Sequence, residues 1–465
     1  MNIKQYVGLI VGVLVSTSVF SQKDHNQEVQ TQKVESLKDF FTRGHLHGHI
    51  RNYFMATVNE GDLTDYWTNG IGGAIKYETY NWKGFQLGVK GIFTYQSFSA
   101  DLNKQDEQVA KGAKWEKELY DVNRPYEKKD LDRLEELYIK YNYKKSFIKL
   151  GKIDLNTSPL LLRRDGRMKP FVYRGLWAEL QELKNQSIYI GWINGVSPRG
   201  MTEWYSINEA VGILNNGFQY DGSKASYHEF SQTRGIGVLG YKAKIKNISL
   251  QIWDYYFDRM NNTLWLQADY DKKNLFGGIQ YVIQNACAYQ NEIEFEHRYF
   301  QPDEMANVFA LQIGYQSIDK IFKISSSFLH GFGIGRFLFP KELGRENFYV
   351  SQPRSWIDGY GLVNVYMIRG QLRPINEKWK GLSLDIRLSY VDAPDQNDFA
   401  NNKYGRTDYT QITLLTKYAF QKKMKGLEMT LLYVLKYSPS QELLPSETFY
   451  KTNLHHFNLI ANINF

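Results

Sequence analysis

The sequence predicts an all-β protein: a transmembrane antiparallel β-barrel of about 18 strands, with long external loops and short periplasmic turns. Three observations carry this expectation. Segments that alternate apolar and polar residues recur along the chain with no helical period between them. The connections between those segments alternate short and long. Nothing after Phe20 supplies the roughly 20-residue apolar run that a membrane helix needs. A membrane placement therefore requires strands closed on themselves, where every backbone polar group finds a partner.

The elements follow in order. Residues 1–21 read as a secretory signal peptide: a short basic start at Met1-Asn2-Ile3-Lys4, a mostly apolar run from Tyr6 to Phe20, and a cleavage pattern at Val19-Phe20-Ser21. The apolar core is too short to span a bilayer, and a polar stretch follows at once. Residues 22–42 form a periplasmic N-terminal tail, and 43–465 the barrel. Strands are expected at 43–55, 67–80, 84–97, 133–143, 146–154, 173–183, 187–196, 232–245, 247–257, 262–271, 274–285, 304–317, 320–331, 354–369, 380–391, 406–420, 425–438 and 452–465.

Several of these alternate cleanly. Phe85, Leu87, Val89 and Phe93 oppose Gln86, Lys90, Thr94 and Gln96. Leu382, Leu384, Ile386, Leu388 and Tyr390 oppose Ser383, Asp385, Arg387 and Ser389. Leu427, Met429, Leu431, Tyr433 and Leu435 oppose Glu428, Thr430 and Lys436. In the closing strand, Phe457, Leu459, Ala461, Ile463 and Phe465 share one face. Around Gly235 to Ile245 the apolar parity switches, which predicts a bulge.

Short connections fall at 81–84, 144–145, 184–186, 246–247, 272–273, 319–320 and 421–424; long ones at 98–132, 155–172, 197–231, 286–303, 332–353, 392–405 and 439–451. Short periplasmic turns and long external loops give this rhythm. An even strand count with an external first turn puts both termini in the periplasm. A short external connection at Met260-Asn261 and a long periplasmic one at 370–379 depart from it.

Composition agrees. Aromatic residues make up 15% of the chain, enough for girdles at two membrane interfaces. The negative mean hydropathy fits strands whose second face is wet. Cys287 is the lone cysteine, so no intramolecular disulfide staples the fold. The formal charge of +8 loses only Lys4 with residues 1–21, leaving +7. The cations are scattered among 49 acids, with no basic helix, which argues against nucleic acid. The excess reads as a lumen biased toward anions; the competing reading is surface charge without function.

Candidate site residues follow from this parity. Arg51, Lys90, Lys140, Lys149, Arg387 and Lys436 are expected to face the lumen, with Glu136, Asp385 and Glu428 among them. Any water-facing barrel wall carries charge, so each position alone is compatible with a merely solvated surface. The segment Asn156 to Val172 is more specific. It sets Arg163, Arg164, Asp165, Arg167 and Lys169 after the apolar run Pro159-Leu160-Leu161-Leu162. An external loop gains nothing from three leucines in water. Folded inward, they pack on the wall while the arginines edge the opening, with Asp165 holding one of them. Guanidinium forks suit carboxylates. The alternative is a surface loop covering the rim.

His45, His47 and His49 share one face of the first strand, but His456 should lie too far away to complete a metal site with His45 or His47. No metal, no cofactor and no catalytic constellation is expected: the chain has no Gly-x-Ser-x-Gly, no His-Glu-x-x-His and no phosphate-binding glycine loop.

Three groups of residues resemble OprD-family outer-membrane porins. These are Arg51-Asn52-Tyr53-Phe54 with Gly84-Phe85-Gln86-Leu87-Gly88-Val89; Asp165-Gly166-Arg167-Met168-Lys169-Pro170-Phe171-Val172-Tyr173-Arg174-Gly175; and Trp253-Asp254-Tyr255-Tyr256 through Leu264-Trp265-Leu266-Gln267-Ala268-Asp269-Tyr270. The likeness covers residues 43–330. The closing aromatic Phe465 also resembles the ending by which outer-membrane barrels are recognised for insertion. The resemblance implies an 18-stranded monomer or loose trimer in the outer membrane of a Gram-negative bacterium. It further implies a third loop folded inward as a constriction, and a basic ladder favouring small carboxylates. The expected partners are small hydrophilic solutes, mainly anionic, and outer-membrane lipid. Two other readings compete. One is a structural or adhesive barrel with a blocked lumen. The other, energised transport, needs a plug domain far longer than the segment before Arg43.

Overall fold

The computed structural model describes residues 36–377, 379–440 and 443–465. The expected signal peptide and the first part of the expected tail lie outside the described residues. Ser36 caps a short helix, Leu37–Thr42, accepting a hydrogen bond from the Asp39 amide at 3.1 Å. Phe40 of this helix is buried against Trp82 at the short-turn end of the barrel.

The strands are β1 (His45–Val58), β2 (Tyr66–Glu78), β3 (Phe85–Ser99), β4 (Arg133–Tyr143), β5 (Ser146–Ile153), β6 (Val172–Leu180), β7 (Gln186–Ser197), β8 (Tyr205–Ser206), β9 (Ile236–Ile245), β10 (Ile248–Phe257), β11 (Asn261–Lys272), β12 (Leu275–Ala286), β13 (Met305–Gln316), β14 (Phe322–Gly331), β15 (Val363–Leu372), β16 (Leu382–Asp392), β17 (Tyr409–Ala419), β18 (Leu427–Tyr437) and β19 (Leu454–Asn464). All but β8 form a closed antiparallel barrel of 18 strands. The two-residue β8 adds to β7 at Gly195 and Val196. Closure runs through β1 and β19, in register from His49↔Asn464 to Val58↔His455. It removes the free edges, so both rows of ladder groups are paired. The seam extends one residue further: the Gly48 and Phe465 amides each donate to the other's carbonyl, at 2.9 and 3.0 Å.

The outward parity is apolar and exposed. Leu46, Ile50, Leu87, Val89, Leu137, Ile139, Leu150, Ile279, Ile313, Ile368, Ile386 and Leu388 lie on it. Period-2 alternation produces this: a strand has two faces, and one must be apolar if lipid covers it.

The inward face departs from expectation. At the long-loop end it carries many buried apolar residues. Trp177, Trp253, Tyr255, Trp265, Val282, Val308, Leu329 and Tyr409 are buried there under inward-folded loops. This explains the parity switch near Gly235. No bulge occurs in β9, which pairs without a register shift on both sides. Instead Ile236 and Val238 point inward and join the apolar cluster, while Leu239 and Ile245 point out. Register shifts lie elsewhere, at Asn69/Gly70, Lys90/Gly91 and Arg174/Gly175. The strand expected at 354–369 starts only at Val363, because Ile357 and Tyr360 are drawn into the same lumen cluster. The tight turn before Asn261 and the long connection before Leu382 stand as read.

Candidate functional site

The bulge in β4 creates the acidic centre of the lumen. Lys90 pairs with Glu136 and Gly91 with Leu134, leaving Glu135 without a partner across the ladder. Two consecutive carboxylates are therefore buried on the inner side, which regular alternation forbids. Cations surround them. Lys90 lies 2.6 Å from Glu135, Lys76 2.8 Å from Glu136, and Arg133 3.1 Å from Glu135.

The segment between β5 and β6 folds onto this wall. Its limbs are pinned together: the Arg163 amide donates to the Leu155 carbonyl at 2.7 Å, and the Phe171 amide to the Arg163 carbonyl at 2.9 Å. Leu160 and Leu161 are fully buried in the lumen cluster with Tyr173 and Tyr255. At the tip, Asp165 accepts two hydrogen bonds from Arg51 of β1, at 2.6 and 2.7 Å. Arg51 also donates to Asn462 of β19 and to the Arg167 carbonyl, so one guanidinium ties the loop to the closing seam. Asp165 thus clamps a wall arginine rather than one of its own loop. The surrounding protein disfavours its charge, but Arg51 and Arg163 override this and hold its carboxyl at about 2. Its side chain stays 40% exposed, on the open side of the loop.

The other loop cations divide. Arg163, one-fifth exposed, reaches Glu135, Asp154 and Glu136 at 3.3, 3.7 and 3.8 Å. Arg164 reaches Asn347 at 2.7 Å. Arg167 turns underneath and is only 2% exposed, forking onto Glu118 of the β3–β4 loop at 2.9 and 2.5 Å. Lys169 is fully buried, and its Nζ meets no hydrogen-bond partner. Burial, aided by nearby Arg133, pushes its ammonium down to about 7. Arg163 and Arg164 are half-buried and Asp165 is exposed, whereas Arg167 and Lys169 are buried. Met168, between those two, seats on β2 because Gly72 leaves room: a Cβ there would come within 2.7 Å of its methyl carbon.

A second inward loop, 332–362, crosses the barrel from β12 to β1. Leu338 exchanges hydrogen bonds with Gln284 at 2.9 Å each way, and Tyr349 donates to Asp269 at 2.6 Å. Further on, the Ser351 carbonyl accepts from Arg387 and the Pro353 carbonyl from Gln411. Arg354 then reaches His456 of β19 and Met55 of β1. The two loops touch where Tyr173 donates to the Leu343 carbonyl at 2.9 Å. Gly344 is required beside it, with φ of +157° and the Leu160 carbonyl 2.5 Å from any added Cβ. Together the loops leave Asp165 and Asn347 exposed at their meeting line.

Each of the six expected wall cations lies on the inward parity. Arg51 and Lys90 are paired as above, and Lys149 approaches Asp154 at 3.6 Å. Arg387 shares Asp385 with Arg369. Lys140 and Lys436 instead lie over the rings of Phe147 and Tyr409, at 5.0 and 3.9 Å. Lys242 and Lys323 lie over Trp253 and Phe276, so several lumen cations sit on rings rather than on acids. His456 pairs with Thr57, whereas His49 pairs with Asn464, eight positions further along β19, and His45 and His47 lie further still from His456.

Sequence reading missed Glu118, Glu135, Lys76 and the whole second loop. The adjacent acids inside Leu134-Glu135-Glu136-Leu137 were a visible breach of alternation. Phe337-Leu338-Phe339 in a loop was the same signal as the three leucines.

No protein-family model matches the sequence, and no curated protein matches it. Solved structures do match. Acinetobacter baumannii OccAB2 superposes with a TM-score of 0.69 at 14% identity, over 92% of this chain and 99% of that one. The fold is that of the Occ porins. Acinetobacter baumannii OccAB4 gives 0.68 at 13% identity, over 91% and 98%. Pseudomonas aeruginosa OpdK, solved with vanillate, gives 0.62 at 14% identity, over 92% and 99%. The resemblance read from scattered residue groups thus extends, as a fold, over nearly the whole described chain.

Proposed function

We propose that the protein is an outer-membrane channel for small hydrophilic solutes. On this reading it favours anions, carboxylates in particular, and loops 155–171 and 332–362 narrow its lumen. The supporting observation is Arg163 and Arg164, held by buried leucines and the Arg51–Asp165 clamp on the open side of the loop junction. In a partly dry passage a fixed cation attracts an anion more strongly than in bulk water. The guanidinium fork matches a carboxylate. Lys140 and Lys242 sit on aromatic rings without a direct ion pair among the described residues and add to the positive charge of the wall. OpdK was solved with vanillate, itself a carboxylate, which supports that class of solute.

The chain enters the membrane after removal of residues 1–21, with both termini in the periplasm, and works as a monomer or loose trimer without cofactor. A second reading has a specific observation behind it: the apolar cluster at the long-loop end suits a blocked, structural barrel. Purified protein in a planar bilayer separates the two. Discrete conductance steps support the channel, and their absence in correctly folded protein supports the blocked barrel.

A further inference from the structure

The outer surface carries one feature that a lipid-covered wall does not explain. Lys152 of β5 and Arg174 of β6 are direct cross-strand partners. Both lie on the outward parity: Lys152 also faces Leu137, and the next pair toward the short turns is Leu150 with Leu176, all exposed. Two like charges placed opposite each other repel. Neither has an ion-pair partner among the described residues. The Arg174 guanidinium lies over Gly195, where a Cβ would meet its Nε at 2.9 Å, and that Nε donates to Asn194 at 3.3 Å. Lys152 sits over the Trp204 indole, 4.6 Å from its centre. Trp204 is itself fixed by a hydrogen bond to the Leu134 carbonyl at 3.0 Å.

The acids in reach are engaged elsewhere. Glu203 is paired with Arg124. Glu209 accepts from the Ser206 amide at 2.7 Å in a capping box. Both cations stand at the long-loop ends of their strands, two residues above the exposed Leu150 and Leu176. The rim of the apolar belt thus presents two cations without an ion-pair partner among the described residues, an indole and an amide over a leucine-lined wall.

We propose that this patch binds the phosphate of an outer-leaflet glycolipid. The phosphate bridges Lys152 and Arg174, and the acyl chains lie along Leu137, Leu150 and Leu176. This rests on the outer-membrane placement above, but not on any solute preference. An anion between the two cations relieves their repulsion, and a guanidinium with an ammonium supplies both a fork and a point charge. A lipid places its phosphate at this height, which a free ion has no reason to do.

The test uses full-length protein in detergent, with bis-phosphorylated lipid A, its dephosphorylated form, or inorganic phosphate as probe. Bound lipid is read by native mass spectrometry, and thermal unfolding is followed beside it. The parent should retain the phosphorylated lipid at least tenfold better than the dephosphorylated one. Lys152→Gln with Arg174→Gln should lose that preference, and the charge-keeping exchange Lys152→Arg with Arg174→Lys should keep it. Conductance of the Gln variant should be unchanged, which separates failure here from failure of the channel reading. Equal retention of both lipids by the parent, full retention by the Gln variant, or equal protection by inorganic phosphate would each overturn the assignment.

Discussion

Arg163 and Arg167 stand four positions apart on one loop and do different work. Arg163 is one-fifth exposed among three acids, whereas Arg167 is 2% exposed on Glu118. Replacing Arg163 and Arg164 by Gln should therefore lower anion preference while leaving heat-modifiable folding intact. Arg167→Gln removes the fork on Glu118 but leaves Arg199 3.5 Å from it, and should instead destabilise the fold by about 1.5–3 kcal/mol, the usual worth of hydrogen bonds to a charged group, seen as a lower unfolding temperature in detergent. Lys169 gives a pH prediction. Its ammonium titrates near 7 when folded and near 10.4 when free. Between those values the unfolded chain binds more protons, so stability should rise with pH across that window. Lys169→Met should flatten that rise and stabilise the protein at pH 7 by on the order of 2 kcal/mol. A variant as stable as the parent with the same pH profile would show that Lys169 is compensated. The residue types at this loop were legible in sequence because leucines beside arginines need a dry contact. Which arginine faces the opening was not legible, since that depends on Glu118 arriving from another loop.

At the scale of elements, alternation located nearly every strand, because lipid-facing parity is a property of single strands. It failed where inward faces are apolar too. Ile236, Val238, Ile357 and Tyr360 all point into the lumen cluster, and no local pattern distinguishes that from a lipid-facing surface. The second inward loop carries its own prediction. Gly331 and Val363 are direct partners at its base, so a tight turn can join β14 to β15 in its place. Replacing 333–361 by such a turn should enlarge single-channel conductance and leave the barrel assembled. An unchanged conductance in the assembled variant would show that this loop does not narrow the path. Substituting Gly344 by Val should act more mildly, since the added atoms press the two loops apart at the Leu160 carbonyl.

At the scale of the molecule, closure is the central fact. Each strand's backbone groups are satisfied only by its neighbours, so the β1–β19 seam completes the barrel. Phe465 lies on that seam, its ring over Gly48. Phe465→Asp should reduce the assembled, heat-modifiable fraction in the outer membrane; undiminished assembly would show that the terminal aromatic is incidental. The architecture was readable because rhythm of connection length and parity are independent signs of one geometry. The charge balance of the lumen was readable in sequence only as a surplus of cations, since which of them meet acids depends on the fold: Lys76, Lys90, Arg133 and Arg163 stand around just two, Glu135 and Glu136.

The central claim is an anion-favouring channel whose loop arginines set its preference. The direct measurement is the reversal potential of single channels in a salt gradient at neutral pH, for the parent beside the Arg163→Gln, Arg164→Gln variant. The account predicts a clear anion preference in the parent and a smaller one in the variant, both conducting. Cation preference in the parent, or an identical reversal potential in a correctly folded variant, would contradict it.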